Sequence, residues 1–270
     1  MQKGFLHLLI LDGKSLTIED VSRVARREEL HVQISDEAKR WVHRSRSLVE
    51  QWVERGETIY GVTTGFGEFA NVSIPREELR QLQQNLIRSH SAGVGKPLST
   101  EVTRAMLLLR ANALAKGCSG IRLVAIEQLL KLLAADALPY IPSRGSVGSS
   151  GDLAPLAHLA LAMTGEGFIS LPHELASRPG SSEGLLPGRS VLPAEEALRI
   201  AGIAPLRLEA KEGLALINGT QMMTAIGCLA LHRAKQLADL ADIAASMSFE
   251  ALRATDKAFD PRLHAARPHT

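Results

Sequence analysis

Apolar residues recur three and four positions apart along most of this chain, which is the spacing of one face of an α-helix. Ser35 is predicted to cap one such helix and Gly56 to end it, and the predicted apolar face comprises Ala38, Trp41, Val42, Ser45, Leu48, Val49 and Trp52. Other helices are predicted behind a cap at Ser15, after Pro75, and over Val21–Arg27, Thr100–Lys116, Ile121–Ala135, Asp152–Met163 and Gly213–Ala254. The pattern therefore predicts a mostly α-helical protein.

Strand patterns are sparse and occur only at Phe5–Leu11 and Phe168–Leu171. The stretch Pro172–Arg189 is rich in proline, glycine and serine and is predicted to be a surface loop. Several predicted helices are apolar around much of their circumference, which is typical of helices buried in a large bundle or between subunits. We therefore expect an oligomer.

Composition excludes several functional classes. The 270 residues include 45% hydrophobic and 22% charged side chains, with a net charge of only +2, and no basic block with interleaved aromatics predicts nucleic-acid binding. Cys118 and Cys228 stand alone, so neither a disulfide scaffold nor a metal site is expected. The longest apolar stretch, Leu153–Met163, is shorter than the ~20 residues of a membrane span. We expect a cytoplasmic protein with no membrane partner.

The most unusual segment runs from Arg144 to His158 and reads RGSVGSSGDLAPLAH. A phosphate-binding loop would need a Gly-Lys-Ser/Thr ending, whereas Gly151 is followed by Asp152, whose charge repels phosphate. A serine-hydrolase elbow would need Gly-x-Ser-x-Gly, and this segment is one residue too short. A plain helix-capping loop, with Ser150 or Asp152 as the cap, is compatible with the composition.

Ring closure by the backbone is the fourth interpretation of this segment. In a tight turn the nitrogen of Gly151 can attack the carbonyl carbon of Ser149 with loss of water. Loss of the Ser150 hydroxyl as a second water leaves a methylidene-imidazolone, a strong electrophile. Glycine gives the attacking nitrogen an unhindered approach, and serine supplies the hydroxyl that is eliminated.

The segment resembles the signature of the histidine ammonia-lyase family, which also includes phenylalanine and tyrosine ammonia-lyases and related aminomutases. Four other segments resemble family motifs in family order: YGVTTGFG at Tyr60–Gly67, NLIRSHSAGVG at Asn85–Gly95, LLLRANALAKG at Leu107–Gly117 and KEGLALINGTQ at Lys211–Gln221. The resemblance runs from about Leu11 to His264. It implies a long-helix bundle of the ammonia-lyase type with a small N-terminal α+β portion. Residues 1–270 would be the N-terminal part and part of the central helical domain.

The resemblance also implies catalytic roles for individual residues. Ser149, Ser150 and Gly151 would form 4-methylidene-imidazol-5-one autocatalytically, without an external cofactor, and Asp152 would assist that cyclisation or hold the loop. Tyr60 would remove a proton from the β-carbon of the substrate, or be a close partner in that step. Because a tyrosine with its ordinary pKa of ~10 is a poor base near neutrality, its pocket would have to provide electrostatic help.

Three further residues are implied in substrate binding. His90 would contact the substrate side chain, Asn218 would hydrogen-bond the substrate or the ring from within an apolar helix, and Gln221 would lie one turn further on. The pair Ser89-His90 and the run ending at Gln221 resemble the histidine enzymes more than the plant-type phenylalanine enzymes. The expected reaction is elimination of ammonia from L-histidine to give urocanate. Tyrosine or phenylalanine deamination, or 2,3-amino migration, is the alternative.

Two features depart from the family pattern. Ser149 stands where the family usually has alanine, and its side chain would stay on the ring as a hydroxymethyl group. The chain also ends at Thr270, without the C-terminal half that supplies an arginine for the substrate carboxylate and other contacts in the family. We expect a fragment, or one chain of a family-type homotetramer that a separate C-terminal chain completes. A non-catalytic remnant or interaction subunit is the alternative of another class.

Overall fold

A computed structural model describes residues 7–28, 30–65, 74–176 and 186–269 of the chain. The strands are β1 (His7–Leu11), β2 (Leu30–Ile34), β3 (Val94–Pro97), β4 (Leu138–Pro139), β5 (Pro142–Arg144), β6 (Phe168–Pro172) and β7 (Arg189–Pro193). The helices are α1 (Ile18–Ala25), α2 (Asp36–Arg55), α3 (Leu79–His90), α4 (Thr100–Ala115), α5 (Leu123–Ala134), α6 (Leu153–Met163), α7 (His173–Ala176), α8 (Ala194–Ile200), α9 (Glu212–Ile217), α10 (Gln221–Ala251) and α11 (Pro261–Ala265). Two 3-10 helices lie at Arg76–Glu78 and Asp256–Phe259. The predicted mostly α-helical class is confirmed.

The N-terminal portion combines two strands with a helix, as predicted. β1 and β2 are parallel and pair in register, with Leu9 opposite Val32, and α1 is the connection between them. The strand confirms the described part of the predicted Phe5–Leu11, whose first two residues lie outside the described range. This small α+β unit precedes the helical core.

The cap of α2 agrees with the prediction, whereas the cap of α1 does not. Ser35 caps α2 through its Oγ atom, and Gly56 ends that helix in the left-handed region, both as predicted. The predicted cap at Ser15 is wrong, because Thr17 caps α1 instead. The Oγ1 atom of Thr17 accepts from the backbone N–H of Asp20 at 3.1 Å, and the Asp20 carboxylate accepts from the Thr17 N–H at 3.1 Å. This reciprocal arrangement satisfies two backbone N–H groups, those of Thr17 and Asp20, whereas a single capping side chain satisfies only one.

The core is centred on α4, α5 and α6. Met106, Leu107 and Leu108 are consecutive in α4 and all three are fully buried. Successive helix positions are separated by about 100°, so three buried neighbours mean that α4 is surrounded on most sides. Each such side chain stabilises the fold by about 1.5–3 kcal/mol relative to an exposed position.

The apolar face predicted for α2 is wider than the face that is buried. Ala38, Val42 and Val49 are buried as predicted, whereas Trp41 and Leu48 are each 45% exposed. Helical spacing puts both exposed residues at the margin of the apolar stripe, where a side chain is covered only if a neighbouring element reaches it. The sequence therefore predicted the direction of this face but not its edges.

Most of the strands could not be predicted. β3 pairs antiparallel with β5, and β6 is the central strand of an antiparallel sheet in the order β4-β6-β7. β6 confirms the predicted Phe168–Leu171 as β1 confirms the other predicted strand, but the remaining strands are short and show no alternation long enough to detect. The predicted loop Pro172–Arg189 contains the short helix α7, and its residues 177–185 lie outside the described part of the chain.

Contacts divide the chain into two compact units, Met1–Leu229 and Ala230–Thr270. In the second unit the ring centroids of Phe249 and Phe259 lie 5.4 Å apart. Its part of α10 exposes large apolar side chains, among them Leu237, Leu240, Ile243 and Met247. Within the described residues, none of the helices has both the length and the apolar character needed to cross a membrane.

A buried ion cluster surrounds Asp136, which follows α5 with φ of +50°. Arg104 donates to its Oδ1 atom at 2.7 Å, and Arg189 and Arg27 pair with its Oδ2 atom. The side chains of Arg104 and Arg189 are only 10% and 3% exposed, and burial lowers the pKa of each to about 10. Both stay charged at neutral pH, so one carboxylate balances two buried cations.

We predict that Asp136→Asn destabilises the protein by about 3–5 kcal/mol, because it leaves buried cations without a counter-charge. Asparagine tolerates the left-handed backbone and preserves the shape of the side chain, so charge is the main change. Chemical denaturation would measure the free energy of unfolding. Asp36→Asn, which breaks an exposed pair with Lys39, is the control and should leave the midpoint unchanged. Equal midpoints for the two variants would refute the role of Asp136.

Candidate active site

The Ser-Ser-Gly segment forms a turn between β5 and α6. Gly145, Gly148 and Gly151 have φ of +152°, +70° and +91°, a region that residues with side chains rarely adopt. Ser149 and Ser150 lie between two of these glycines, and both are exposed. The loop therefore combines a backbone bent by glycines with two accessible serine hydroxyl groups.

Gly151 lies directly against the backbone of Gly219, with which it forms an isolated parallel bridge. A Cβ atom at Gly151 would collide with the carbonyl oxygen of Gly219. The backbone N–H of Asp152 donates to the same oxygen at 2.6 Å. Position 151 therefore requires glycine for its packing as well as for its φ.

The carboxylate of Asp152 is fully buried and accepts hydrogen bonds from two directions. Its Oδ1 atom accepts from the Ser146 hydroxyl at 2.8 Å, and its Oδ2 atom accepts from the Met223 N–H at 2.9 Å. Met223 is in the first turn of α10, where unpaired N–H groups favour a negative charge. Asp152 therefore holds the Ser-Ser-Gly loop to the start of α10. Its side chain does not cap α6, although Asp152 occupies the N-cap position.

Asn218 does not lie within a helix, so that prediction is wrong. The predicted helix Gly213–Ala254 is interrupted between α9 and α10, and Asn218 is exposed with extended backbone (φ −87°, ψ 105°). The Nη2 atom of Arg110 donates a hydrogen bond to the carbonyl oxygen of Asn218 at 3.0 Å. Because this bond joins residues 108 positions apart, no local pattern could have located the break.

Gln221 begins α10 and contacts the same arginine. Its Oε1 atom accepts from Nη1 of Arg110 at 2.7 Å, while Nη2 also donates to the carbonyl of Ala215. A Cβ atom at Gly219 would collide with both ends of the Arg110–Gln221 hydrogen bond. Gly219 therefore contacts Gly151 and also packs closely against this hydrogen bond.

His90 ends α3 and is half-buried. Its Nδ1 atom lies 2.9 Å from the carbonyl oxygen of Leu86, which can only accept, so Nδ1 carries the hydrogen. With the hydrogen on Nδ1, the tautomer of an uncharged imidazole has an unprotonated Nε2 atom that can accept a hydrogen bond. This is the polarity needed to bind a donor on a substrate side chain.

His158 connects the segment that follows His90 to α6. Its Nε2 atom accepts from the backbone N–H of Gly93 at 3.0 Å, and burial lowers the pKa of the imidazole. Gly145, at the start of the Ser-Ser-Gly turn, also packs closely on Gly93. The structure therefore brings three of the five motif segments together around residues 145–152.

Tyr60 lies in the turn after α2, with the ring 57% exposed. The residues that follow it, Gly61–Gly65, are buried, and Gly61 has φ of +69°. The rest of its motif falls in residues 66–73, outside the described part of the chain. The place of Tyr60 in the site therefore stays a prediction.

Arg110 and His158 belong to the architecture of the site but received no role from the sequence. Each is a polar residue inside a mainly apolar helical run, LLLRANAL for Arg110 and LAPLAHLAL for His158. Buried polar side chains need hydrogen-bond partners, so such an interruption indicates a polar contact that fixes another segment. The pattern signals a contact but cannot identify the partner.

The residues of the turn fit the ring that the resemblance implies. Gly151 has no side chain to obstruct its nitrogen, its φ is positive, and the carbonyl of Gly219 occupies the position of a Cβ atom. Ser150 is exposed, so nothing buries the hydroxyl that must leave. Among the residues that the structure describes, no group of three or more His, Cys, Asp or Glu side chains could hold a metal ion.

Comparison with known proteins agrees with this architecture. The chain matches the family described as aromatic amino acid lyase over residues 16–270, and it belongs to that family. It is 48% identical over 261 residues to the histidine ammonia-lyase of Caldanaerobacter subterraneus subsp. tengcongensis, covering 97% of this chain and 48% of that protein. The chain therefore spans about half the length of the curated relatives that it matches.

Two solved structures are similar in fold. The crystal structure of histidine ammonia-lyase from Trypanosoma cruzi matches with a TM-score of 0.84 and 44% identity, covering 97% of this chain and 47% of that one. Tyrosine aminomutase from Streptomyces globisporus matches with a TM-score of 0.79 and 40% identity, covering 91% and 43%. These similarities confirm the predicted bundle of the ammonia-lyase type.

We predict that His158 makes stability depend on pH. Because burial lowers its folded pKa below the ordinary ~6.5, the unfolded state binds more protons between these two values, and stability falls as the pH drops through that window. His158→Gln places an amide oxygen near the position of Nε2 without a titrating group. Denaturation of both proteins at pH 7.5 and 5.5 should show the smaller loss in the variant. Equal losses would mean that His158 does not contribute.

Proposed function

We propose that the chain is the N-terminal catalytic portion of a histidine ammonia-lyase, which converts L-histidine to urocanate and ammonia. The observation that carries the proposal is the Ser-Ser-Gly turn, in which Gly151 is held at positive φ against Gly219 while Ser149 and Ser150 stay exposed. Membership of the aromatic amino acid lyase family and similarity to proteins named histidine ammonia-lyase support the choice.

The electrophile is proposed to be 4-methylidene-imidazol-5-one made from Ser149, Ser150 and Gly151. When formed, it would supply an electrophilic carbon that withdraws electrons from the amino-acid substrate. The protein contributes the bent backbone, the unhindered nitrogen of Gly151 and the hydroxyl of Ser150. The buried side chain of Asp152 fixes this turn through two hydrogen bonds, with Ser146 and with Met223. The geometry of the turn therefore does not depend on contacts of the exposed serines.

Four residues are proposed to act on the substrate. His90 would accept a hydrogen bond from the substrate side chain through Nε2, which suits the N–H group of an imidazole ring. Asn218 would hydrogen-bond the substrate or the ring from its exposed position beside the turn. Gln221 would add a contact with the substrate in the same pocket. Tyr60 would remove the β-proton, and the exposed position of its ring leaves it accessible for that task.

Deamination of tyrosine or phenylalanine, or 2,3-amino migration, is the second candidate. It is favoured by the similarity in fold to a tyrosine aminomutase at 40% identity. A tyrosine phenol, like an imidazole, has a hydrogen that His90 Nε2 can accept. Analysis of the products from L-histidine and L-tyrosine would separate these candidates, because urocanate, coumarate and β-tyrosine differ in absorbance and mass.

The working enzyme is proposed to be a cytoplasmic homo-oligomer, a tetramer as in the family, whose site is completed by C-terminal residues from a longer form of the chain or from a separate polypeptide. The apolar side chains exposed on α10 beyond Leu229 support this assembly, since isolated proteins rarely expose such a row. Urocanate formation should therefore be assayed with the chain alone and with a C-terminal half supplied from a relative. Silence in both would favour a non-catalytic remnant.

We predict that Ser150→Ala abolishes formation of the methylidene electrophile and leaves stability unchanged, because it removes the leaving hydroxyl from an exposed position. Peptide mass mapping should find the segment from Gly145 short of two water molecules in the unsubstituted protein and of at most one in the variant, in which only the backbone condensation can release water. Ser149→Ala is the matched control: it should still lose both waters, because only the backbone carbonyl of that residue enters the ring. Loss of two waters from the Ser150→Ala segment would refute the mechanism.

We predict that His90→Phe lowers kcat/KM for L-histidine by about 10-fold or more and raises the relative preference for L-phenylalanine. The substitution removes an acceptor that an imidazole needs and replaces it with an apolar ring, and an unpaired polar group in a site is costly. The measurement is kcat/KM for both substrates, with melting temperature as the check on folding. An unchanged ranking of substrates would exclude His90 from the specificity role.

A further inference from the structure

Arg110 is a buried cation without a carboxylate partner. Its residue is 3% exposed, and no acidic side chain among the described residues lies within ion-pair distance. Burial lowers the pKa of the guanidinium to about 10, so it remains charged at neutral pH. Arg46, Arg104 and Arg189 are also buried, and each of them pairs with a carboxylate, whereas Arg110 does not. An unpaired buried charge is costly, and the surroundings must compensate for it.

All the acceptors of Arg110 belong to the segment that carries Asn218 and Gln221. They are the backbone carbonyls of Ala215 and Asn218 and the Oε1 atom of Gln221. Its Nε atom is buried without a partner in the described part of the chain. The hydrogen bonds of this cation therefore go to one short segment, residues 215–221, and Gly219 of that segment contacts Gly151 of the Ser-Ser-Gly turn.

This contact fixes which way the Gln221 amide faces. A guanidinium can only donate, so the atom of Gln221 that meets it must be the oxygen. The amide nitrogen Nε2 is then left as a donor, with no partner among the described residues. The Cβ position of Gly219 lies against both Oε1 of Gln221 and Nη1 of Arg110, and Gly219 in turn touches Gly151. The amide is therefore separated from the Ser-Ser-Gly turn by one glycine.

We propose that Arg110 is a positioning residue that holds Gln221 as a hydrogen-bond donor for the carboxylate of the amino-acid substrate. The proposal rests on the proposed function. It adds two assignments that the resemblance did not give: a role for Arg110, and a donor role for the amide of Gln221. A donor backed by a buried cation favours an anionic acceptor, and an amino acid has one such group. Orientation by Arg110 removes the choice between amide flips, so Gln221 loses no orientational freedom when it binds.

Substitutions at Gln221 separate a carboxylate ligand from a neutral one. Gln221→Met removes the donor, whereas Gln221→Glu also adds a negative charge that repels a carboxylate. We expect KM for L-histidine to rise about 10-fold in Gln221→Met and further in Gln221→Glu, by analogy with loss of one charge-assisted hydrogen bond. A KM for Gln221→Glu equal to or below that of Gln221→Met would overturn the carboxylate assignment. Peptide mass mapping should find the loss of two waters intact in both, and its absence in both would assign Gln221 to ring formation instead.

The contact with Arg110 can be tested without turnover. Gln221→Glu should pair with Arg110, so its melting temperature should stay close to that of the unsubstituted protein. In an Arg110→Met background the same substitution leaves a carboxylate without its cation, and the melting temperature should fall clearly below that of Arg110→Met alone. Equal effects of Gln221→Glu in both backgrounds would overturn the positioning role.

The two arms also distinguish failure of the inference from failure of the proposed function. KM would be measured in whichever preparation forms urocanate, the chain alone or the chain with a supplied C-terminal half, and L-histidine binding would be followed by equilibrium dialysis in parallel. If the unsubstituted protein neither binds nor deaminates L-histidine in either preparation, the proposed function and the carboxylate role both fail. The melting comparison would still decide whether Arg110 orients Gln221.

Discussion

The buried carboxylate of Asp152 is the interaction on which the candidate site depends. It accepts from Ser146 on one side and from Met223, 71 positions further along the chain, on the other. A buried carboxylate is tolerated only with such partners, so the loop and the first turn of α10 are bound to the same group. The backbone of Asp152 adds a hydrogen bond to Gly219 at 2.6 Å. These three bonds fix a turn whose own residues, Ser149 and Ser150, have little contact with the rest of the protein.

Buried charge is treated in two ways in this fold. Around Asp136, and at the pair of Arg122 with the fully buried Glu212, cations meet carboxylates and join distant segments. These pairs join segments of the fold and include none of the residues of the Ser-Ser-Gly turn. Among the described residues, Arg110 donates only to the carbonyl oxygens of Ala215 and Asn218 and to the amide oxygen of Gln221. Since neutral acceptors balance a cation less completely than a carboxylate does, its positive potential extends toward neighbouring groups, which at this position belong to the candidate site.

The site is assembled from segments that are far apart in sequence. The turn before α6 touches the start of α10 through Gly151 and Gly219, and His158 on α6 holds Gly93 in the segment that follows His90. A catalytic centre built from loops on a rigid helical core is a common arrangement, because the core fixes positions that the loops alone could not. The described contacts bring Gly93 and Gly219 against the turn or the helix that follows it; that His90, Asn218 and Gln221 act there stays a prediction. The described contacts also explain why two of them depend on glycines, where any side chain would separate the segments.

The sequence by itself determined the helical class and the family and predicted the Ser-Ser-Gly chemistry, because these depend on local spacing and on the types of a few adjacent residues. Helix caps were predictable where one residue decides the geometry, as at Ser35, and failed where a reciprocal pair competed, as at Thr17. Only the tertiary structure decided that the helix through Asn218 breaks, that His158 binds Gly93, and that Arg110 orients Gln221. Each of these outcomes rests on a hydrogen bond between residues at least 65 positions apart, and a periodic pattern carries no information about such a partner.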